Sequence, residues 1–370
     1  MYDYLIVGSG LYGSVFAHEA TKAGKKCLVL EKKEHIGGNI YTRNVNGINV
    51  HEYGPHIFHT SNKRIWDYVN QFATFNSFVN RPKVSYKDKL YSFPINLLTL
   101  YQLWGVKTPE EAIKKLLASK VKIDNPQNLE EWCLNEIGTE LYETFIKGYT
   151  QKQWKTDPKE LPTFIIKRIP IRTNFDDNYY FDTYQGIPIG GYTQIIEKML
   201  TGIEVKLNTD YLADKDNWDK IAKKVLYTGP IDAYFSYQFG DLDYRTTRFE
   251  HEVVPVKDYQ GNALINYTAA DIPYTRIIEH KHFDWVNVPH TLITREYPEE
   301  WKRDLTPYYP INNEKNTKIY NQYKELTKAL PNVLFGGRLA EYKYYDMHQV
   351  IAAALHDFEK ENSGNTVNNS

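Results

Sequence analysis

The sequence predicts an α/β protein in which one parallel sheet is interrupted by a helical subdomain and by an antiparallel sheet. Apolar runs at Tyr4–Val7 and Cys27–Leu30 are typical of buried parallel strands. Similar strand patterns return much later, near 203–205, 225–229 and 333–335. Because long stretches with other patterns separate these runs, we expect those stretches to be insertions into a single sheet.

The inserted segments have distinct patterns. Residues 62–156 are mainly helical in periodicity, and Thr108-Pro109-Glu110-Glu111 combines an N-cap, a first-turn proline and acidic residues that start a helix. Residues 245–297 alternate apolar and polar positions, with many β-branched and aromatic side chains, as an antiparallel sheet does. The predicted divisions are a parallel-sheet domain in three parts (1–62, 193–232 and 326–362), a helical subdomain (63–156), a mobile lid loop with a small sheet (157–192), an antiparallel sheet domain for substrate (233–325) and a disordered tail (363–370).

The turn after the first strand carries a dinucleotide motif. Gly8-Ser-Gly10-Leu11-Tyr-Gly13 is a G-x-G-x-x-G sequence between a strand and a helical pattern, and Glu31 ends the second strand. Gly8 permits the tight turn, Gly10 lets backbone N–H groups approach a pyrophosphate, and Gly13 lets the helix pack on the strand. A carboxylate at Glu31 can hold an adenosine ribose. This context predicts a Rossmann-like dinucleotide site rather than a glycine-rich surface turn.

The residues after Glu31 favour one dinucleotide over another. Lys32 is followed by an apolar residue and paired glycines in Ile36-Gly-Gly38-Asn39, an extension that resembles the flavoprotein fingerprint of amine oxidases and their relatives. FAD is therefore favoured over NAD. No second G-x-G-x-x-G occurs in a strand–helix context, so no separate NADPH domain is predicted.

Two later segments are also predicted to contact the flavin. Gly54-Pro-His56-Ile57-Phe-His59 reads as a loop after the paired strands. Its two histidines could bind a metal, but no carboxylate or cysteine cluster accompanies them, so no metal site is predicted. The last strand runs into Gly336-Gly337-Arg338 ahead of a helix predicted at Met347–Glu359. N–H groups there could meet the carbonyls of the flavin ring.

Composition excludes several classes of function. The net charge of the 370-residue chain is −1, which gives no electrostatic case for nucleic acid or an acidic membrane surface. Its two cysteines suggest neither a disulfide framework nor a cysteine metal site, as is typical of a reducing compartment. The first strand leaves no room for a signal peptide, and no apolar run approaches the ~18 residues of a membrane helix. We expect a cytoplasmic protein without membrane insertion.

A set of motifs spread over the chain is more specific than the nucleotide fingerprint. The motifs are Ile36–Asn39, Gly54–His59, Lys147–Trp154, Lys167–Arg172, Asp176–Tyr179, Tyr227–Asp232, Pro273–His280, Pro307–Pro310 and Gly337–Met347. With these motifs, the chain resembles the bacterial type of the UDP-galactopyranose mutase family over nearly its whole length.

The resemblance implies an isomerase that interconverts UDP-galactopyranose and UDP-galactofuranose, a precursor of surface glycans. It implies that the reduced flavin acts without net redox chemistry: N5 attacks the anomeric carbon and expels UDP. The sugar–flavin adduct then opens to an iminium, and the ring recloses through a different hydroxyl. The diphosphate must be held while it leaves and returns, which suits arginine because its guanidinium pairs bidentately with phosphate.

The resemblance also implies roles for individual residues. Arg168 and Arg276 match arginines that hold the diphosphate, Arg338 would favour the anionic reduced flavin, and His59 would sense or support that form. The cofactor-side residues, from the fingerprint and the resemblance together, are Gly8, Gly10, Leu11, Gly13, Glu31, Lys32, Gly38, Asn39, His56, Ile57, Gly337, Arg338, Tyr345, Asp346 and Met347. The substrate-side residues are Asn80, Phe145, Tyr149, Thr150, Trp154, Arg168, Tyr179, Asn266, Arg276, Tyr309 and Tyr344.

Parts of the substrate side can be distinguished by the same resemblance. Tyr179 and the stretch 145–149 look like the uracil side, whereas Trp154 lies nearer the galactose and the flavin. The irregular segment 157–182, which carries Arg168, is the predicted lid that closes over the phosphates. Where many relatives have Gly-Ala-Gly in the dinucleotide turn, this chain has Ser9, and we expect that difference to change little.

Two other classes of function stay open. A flavin amine oxidase or desaturase would share the front fingerprint, but it would need an apolar or amine-selecting cavity instead of paired arginines and tyrosines. An FAD-dependent binding or sensor protein would bind the UDP-sugar without turning it over. The expected partners are UDP-galactose as substrate and a second copy of the chain in a homodimer.

Overall fold

The computed structural model describes residues 1–166 and 171–367. The strands are β1 (Tyr2–Val7), β2 (Cys27–Leu30), β3 (Thr42–Val45), β4 (Ile48–His51), β5 (Phe58–Thr60), β6 (Lys83–Tyr86), β7 (Lys89–Ser92), β8 (Tyr184–Gly186), β9 (Glu204–Lys206), β10 (Ala222–Tyr227), β11 (Tyr244–Val254), β12 (Leu264–Tyr267), β13 (Arg276–Glu279), β14 (Thr291–Glu300), β15 (Tyr309–Pro310) and β16 (Val333–Phe335). The α-helices are α1 (Leu11–Lys22), α2 (Lys63–Val69), α3 (Leu97–Trp104), α4 (Pro109–Ser119), α5 (Leu129–Ile137), α6 (Thr139–Leu141), α7 (Gly148–Trp154), α8 (Thr193–Met199), α9 (Lys215–Trp218), α10 (Ile231–Tyr234), α11 (Lys281–Asp284), α12 (Glu314–Thr327) and α13 (Met347–Val367). A π-helix, Tyr142–Lys147, joins α6 to α7.

A five-stranded parallel sheet joins segments from the whole length of the chain. Its order is β16-β10-β1-β2-β9, and β1 pairs in parallel register with both β2 and β10. The central strands are apolar throughout because both faces of the sheet are covered, and Leu5, Ile6 and Val29 are fully buried. The prediction that separated strands form one parallel sheet is therefore confirmed.

A second large sheet has seven strands, in the order β15-β11-β14-β13-β12-β6-β7. Strands β11 to β14 pair antiparallel as predicted, with Arg245 opposite Glu300 at one end of the long β11–β14 ladder. The two strands β6 and β7 come from the segment predicted to be mainly helical, and β6 pairs in parallel with β12. Each of these strands has four residues, which is too short for a periodic signal.

The rest of the segment 63–156 is mostly helical and has its own core. Leu129, Cys133 and Leu141 are fully buried there. The Thr108 hydroxyl caps α4 by accepting the Glu111 N–H. The Glu111 carboxylate accepts the N–H of Lys107, whereas in a capping box it would accept the N–H of the N-cap residue, Thr108. A Cβ on Gly148 would lie 2.3 Å from the Thr268 carbonyl oxygen, so only glycine allows α7 to pack this closely on the antiparallel sheet.

The C-terminal helix α13 packs on α1 and runs through Val367. It continues past the predicted end at Glu359, and the disorder expected for the tail, 363–370, stays a prediction. Adding residues to a helix that has already formed costs little free energy, so the polar residues after the packed turns can also be helical. Residues 368–370 lie outside the described residues. Within the described chain, none of the helices combines the length and apolarity needed to cross a bilayer.

Candidate functional site

A cavity of about 790 Å³ lies between the two large sheets. The parallel sheet contributes residues that follow the carboxyl ends of its strands, among them Gly8 after β1 and Thr228 after β10. The antiparallel sheet contributes Phe249 from β11, Arg276 from β13 and Glu296 from β14. Parallel α/β sheets bind their ligands outside the carboxyl ends of the strands, so the fold places a binding site at this edge.

The glycine turn forms a wall of backbone on one side of the cavity. Gly8 has φ of +103°, and a Cβ there would lie 2.3 Å from the Thr228 hydroxyl. A Cβ on Gly38 would lie 3.0 Å from the Gly10 Cα, so the two glycine segments touch. Gly10 is the N-cap of α1 and makes no side-chain cap. The first N–H groups of the helix are thus suited to an anionic pyrophosphate.

Glu31 is held in place by hydrogen bonds within the chain. It accepts hydrogen bonds from the Ser9 N–H (2.9 Å) and the Ser9 hydroxyl (2.6 Å), and from the Lys33 N–H (2.9 Å). An alanine in place of Ser9 would lose the hydroxyl bond but keep the N–H bond, and the expectation that Ser9 changes little stays a prediction. These bonds orient the carboxylate at the position where a Rossmann-like fold holds a ribose.

Nearly all the predicted cofactor-side residues meet in this cavity. The residues that line it are Gly8, Gly10, Leu11, Glu31, Lys32, Gly38, Asn39, His56, Ile57, Gly337, Arg338, Tyr345, Asp346 and Met347, together with His59. Gly13 lies behind the turn, where a Cβ would sit 2.1 Å from the Gly8 carbonyl oxygen. Its role is packing of α1, as the motif predicts.

Sequence reasoning missed several residues of the cavity wall. Thr209 and Thr228 follow β9 and β10, and their positions at strand ends could have signalled them. Lys33 also lines the cavity, and its ammonium lies 3.7 Å from the centroid of the Tyr53 ring. The ammonium group has no hydrogen-bond partner among the described residues, and burial lowers the pKa of Lys33.

Arg276 is the centre of a polar row that crosses three strands. Asn266, Arg276 and Glu296 stand directly opposite one another on β12, β13 and β14. The Arg276 Nε donates to the Asn266 side-chain oxygen at 3.0 Å and lies 3.6 Å from a Glu296 carboxylate oxygen. Burial works to lower the pKa of Arg276, but Glu296 and tyrosine hydroxyls outweigh it and raise the pKa. Burial raises the pKa of Glu296.

Arg338 presents a second cationic group to the cavity. Its Nε donates to the Tyr345 carbonyl at 3.1 Å, and its guanidinium lies 4.5 Å from the Tyr344 ring centroid and 5.8 Å from that of Tyr309. No carboxylate of the described chain forms an ion pair with it. The charge of Arg338 is thus available to an anionic ligand.

His59 is oriented by a carboxylate from the segment predicted as a lid. Its Nδ1 lies 2.5 Å from an Asp182 carboxylate oxygen, and the Ser61 hydroxyl donates to the other oxygen at 2.7 Å. The His59 ring stacks on Tyr180 at 3.7 Å. Burial alone would raise the pKa of Asp182, but the bonds from His59 and Ser61 outweigh it and lower the pKa. Asp182 had no local signal, since β5 and β8 bring the two segments together.

Two clusters bring potential metal ligands within 4.8 Å of one another. One consists of His59, Asp346 and His348, and the other of Asp258, Glu279 and His282. Asp346 and His348 of the first cluster belong to a segment far from the loop 54–59, so the sequence of that loop alone gives no sign of the cluster. The absence of a metal site stays a prediction.

On the substrate side, the structure brings several predicted residues together around Arg276. Tyr309 and Tyr344 line the cavity with it, and their rings stack at 5.9 Å. Tyr149 and Tyr179 lie close enough to Arg276 to help raise its pKa. Asn80 accepts the Tyr179 N–H through its backbone oxygen at 2.9 Å.

Of the predicted substrate residues, the described lining of the cavity contains only Arg276, Tyr309 and Tyr344. Phe145 is 4% exposed and packs on Tyr91 in the helical core. Thr150 is buried on α7, and Trp154 is covered by Arg245, whose guanidinium lies 5.0 Å from the indole. Arg168 lies outside the described residues. Contact of these residues with a substrate stays a prediction.

The neighbouring arginine of the predicted lid has a structural role. Arg172 is 7% exposed, and its Nη1 donates to the carbonyls of Asp176 (2.8 Å) and Asn178 (2.7 Å). These two bonds hold the loop that carries Tyr179. The Nε and Nη2 of Arg172 are buried and have no hydrogen-bond partner among the described residues, and the choice of Arg168 over Arg172 as the phosphate-binding candidate stays a prediction.

The buried histidines beside the cavity predict a pH-dependent stability. Burial and the neighbouring His56 lower the pKa of His51 to about 3, and burial lowers the pKa of His56 to about 4. The unfolded chain takes up these protons first, below pH ~6.5, so stability is complete above that pH and is lost as the pH falls. His51 alone should cost roughly 2 kcal/mol at pH 5. Urea midpoints at pH 7 and pH 5 measure this, and His51→Gln should reduce the difference. Equal midpoints would contradict the prediction.

Two family models match this chain. The model described as UDP-galactopyranose mutase matches residues 144–344, which include Arg276 and the polar row. The model described as an NAD(P)-binding Rossmann-like domain matches residues 6–72, which include the glycine turn and Glu31.

Relatives cover the chain from end to end. A protein named "Probable UDP-galactopyranose mutase" from Klebsiella pneumoniae is 41% identical over 360 residues, covering 95% of this chain and 93% of that protein. A "dTDP-fucopyranose mutase" from Escherichia coli is 37% identical over 365 residues, covering 96% of this chain and 97% of that protein. A crystal structure of reduced UDP-galactopyranose mutase has the same fold, with a TM-score of 0.77 at 14% identity over 98% of this chain and 94% of that chain.

Proposed function

The chain belongs to the UDP-galactopyranose mutase family, and from that membership we propose that it is an isomerase that interconverts UDP-galactopyranose and UDP-galactofuranose. The observation that carries the proposal is that two arginines, Arg276 and Arg338, line the same cavity as a dinucleotide turn. A sugar nucleotide diphosphate needs such cations beside a cofactor. Supply of galactofuranose for surface glycans, a homodimer and a cytoplasmic location stay predictions.

The dinucleotide is proposed to be FAD, and the residues of the cavity fit it. Glu31 would hold the adenosine ribose, and the touching backbones of Gly10 and Gly38 would face the pyrophosphate, where a side chain would collide. Gly337 and Arg338 would meet the ring. When bound in its reduced form, FAD would supply a nucleophilic nitrogen for the anomeric carbon without net oxidation.

The chain's own residues would hold the diphosphate while its bond to the sugar breaks and reforms. Asn266 and Glu296 bind the Nε side of Arg276, which fixes the plane of the guanidinium and leaves its other N–H groups for phosphate oxygens. Tyr309 and Tyr344 can donate hydroxyl hydrogen bonds to the same group. Retaining UDP in place makes its return an intramolecular event, which is the main advantage of a positioned leaving group.

Arg168 is proposed to bind the phosphates when the segment 157–182 closes. The motif Lys167–Arg172 supports this assignment by its resemblance to the family. Closure would exclude water during the period when the sugar is separated from UDP, and thus suppress hydrolysis. His59, held by Asp182, is proposed to support the reduced cofactor.

Arg338→Ala is predicted to lower turnover by about a hundredfold, because the cation that would favour an anionic reduced flavin is lost. The midpoint potential of the bound flavin should fall at the same time, since the reduced anion loses its stabilising charge. Stopped-flow turnover and equilibrium redox titration check both effects. Arg338→Lys is the matched control and should retain part of each. Full activity of Arg338→Ala would refute this role.

The proposed function is tested by chromatographic conversion of UDP-galactofuranose by the purified protein, with and without dithionite. Formation of UDP-galactopyranose only after reduction is the expected result. No conversion in either state, from a protein that binds FAD, would overturn the proposal. Net oxidation of an amine with release of peroxide would instead support the oxidase class.

A second candidate substrate is dTDP-fucopyranose. It is favoured by the 37% identity to a relative that bears the name of that activity and spans nearly the same length. The two sugar nucleotides differ in the base and in the sugar, so both should be assayed with the same reduced protein. The ratio of their kcat/KM values decides between the two substrates, because it compares their transition states directly.

A further inference from the structure

A continuous series of hydrogen bonds runs behind the wall of the cavity. We name it the histidine chain, and its members, in order, are Glu52, His251, Thr294, His280 and His51. It ends at the backbone N–H of His56, which donates to the His51 Nδ1 at 3.1 Å. The chain therefore connects the antiparallel sheet, which carries Thr294, to the loop 53–57, which lines the cavity.

The inner members of the histidine chain are buried and uncharged. His51 and His280 are 1% exposed, and Thr294 is 0% exposed. Burial and neighbouring histidines lower the pKa of both imidazoles, so each is neutral at pH 7. A neutral imidazole has one N–H donor and one acceptor nitrogen.

Backbone donors determine which nitrogen carries the proton. The His51 N–H donates to the His280 Nδ1 at 3.2 Å, so the His280 proton must be on Nε2. That Nε2–H then donates to the Thr294 hydroxyl oxygen at 2.6 Å. The hydroxyl is left to donate to the His251 Nδ1 at 2.7 Å.

The two ends of the histidine chain have different partners. The His251 Nε2 lies 3.3 Å from one Glu52 carboxylate oxygen, and the Arg43 Nε donates to the other at 2.6 Å. At the other end, the His56 Nδ1 lies 2.8 Å from the Gly54 carbonyl, which can only accept. The His56 proton is therefore on Nδ1, and its Nε2 is an acceptor.

The histidine chain is not a path for protons. Two of its connections, His51 to His280 and His56 to His51, are made by peptide N–H groups. Peptide groups do not release a proton at neutral pH, so transfer would stop at both points. What the connections can do is fix the backbone at His51 and His56, at either end of the segment that carries Tyr53 and Gly54.

We propose that the histidine chain positions the cavity loop 53–57, with Thr294 as the positioning residue at its centre. The antiparallel sheet would thereby determine where His56 presents an acceptor nitrogen to the cofactor. This inference rests on the proposed FAD site for its consequence, but its geometry is independent of the substrate.

The first experiment measures the imidazole protons directly. The holoprotein is labelled with 15N at its 11 histidines, and the ring nitrogens are observed by NMR, with assignments from single His→Gln variants. The expected tautomers have the proton on Nε2 in His280, on Nε2 in His51, because its Nδ1 accepts the His56 N–H, and on Nδ1 in His56. A His280 proton on Nδ1 would reverse the chain and overturn the proposal. This measurement needs no altered Thr294.

The second experiment compares Thr294→Val with Thr294→Ser. Valine keeps the shape but can neither accept nor donate, whereas serine keeps the hydroxyl. We expect Thr294→Val to raise the Kd of FAD for the apoprotein about tenfold, measured by quenching of flavin fluorescence, and to shift the ring nitrogens of His51 and His56. Thr294→Ser should stay within about twofold of the unaltered protein.

Thr99→Val is the matched control for a merely structural loss. Thr99 is also fully buried, and its hydroxyl donates to the Ser92 carbonyl at 2.6 Å in the helical subdomain. It should lower stability without changing the Kd of FAD. An unchanged Kd and unchanged His56 signals in Thr294→Val would overturn the positioning role. If the protein bound no FAD at all, the proposed function would fail, while the tautomers would still decide whether the chain exists.

Discussion

Replacing Arg276 by alanine is expected to lower kcat/KM for UDP-galactofuranose by about a thousandfold. Two charge-assisted hydrogen bonds to phosphate, each of roughly 1.5–3 kcal/mol, account for a loss of this size. Arg276→Lys keeps the charge but not the planar fork, so it should recover only part of the rate. The measurement is initial velocity with the reduced protein, together with the Kd of UDP.

A control and a double variant separate chemistry from stability. Arg248→Ala removes an exposed arginine of the same sheet, which is paired with Glu250 and Glu299, and should leave the rate unchanged. Arg276→Ala alone leaves Glu296 buried without its cation, which costs about 3–5 kcal/mol of stability. Adding Glu296→Gln should restore stability but not activity. A rate for Arg276→Ala within tenfold of the unaltered protein would contradict the diphosphate role.

Gly13→Ala is expected to abolish FAD binding, with an increase in Kd of at least about a hundredfold, and to destabilise the fold by roughly 3 kcal/mol. The reason is space rather than backbone strain. The new Cβ would lie 2.1 Å from the Gly8 carbonyl oxygen and 3.2 Å from Ile6. The helix α1 would have to move away from β1, and its N–H groups would move away from the pyrophosphate site. Flavin fluorescence and urea unfolding measure the two effects.

Gly24→Ala provides the comparison. Gly24 ends α1 with φ of +79° and has no atom within 4 Å of a Cβ. An alanine there should cost about 1–2 kcal/mol through backbone strain alone and leave the affinity for FAD unchanged. Retention of normal FAD affinity by Gly13→Ala would show that the close approach of helix and strand is not required.

The parts of the site that follow from local sequence were predictable. The turn at Gly8, Gly10 and Gly13 and the carboxylate at Glu31 belong to one continuous strand–turn–helix–strand unit, so their spacing alone indicates a binding site. The relative positions of these four residues are set mainly by this one unit, without contacts from distant segments. The hydrogen bond from the Ser9 hydroxyl to Glu31 was not predictable, because the two residues become neighbours only when β1 and β2 pair.

The parts that depend on pairing between distant strands were not predictable. Glu296 is opposite Arg276 only because of the register of β13 and β14, and Asp182 meets His59 only because β5 pairs with β8. No local pattern encodes a register between segments so far apart. The strand β6 was missed partly for the same reason, since its partner β12 lies beyond the whole helical subdomain, whereas β7 pairs with its neighbour β6 and is only four residues long.

The order of the strands in the parallel sheet has a consequence for how the protein is made. The strands β1 and β2 are synthesised before β9, β10 and β16, which complete their sheet, and α1 is covered by the still later helix α13. The dinucleotide turn is therefore synthesised early and completed last. Contacts of such large sequence separation form slowly. During translation the apolar surface of α1 must wait for the C-terminal helix, so chaperone protection of the nascent N-terminal segment should set the yield of soluble protein.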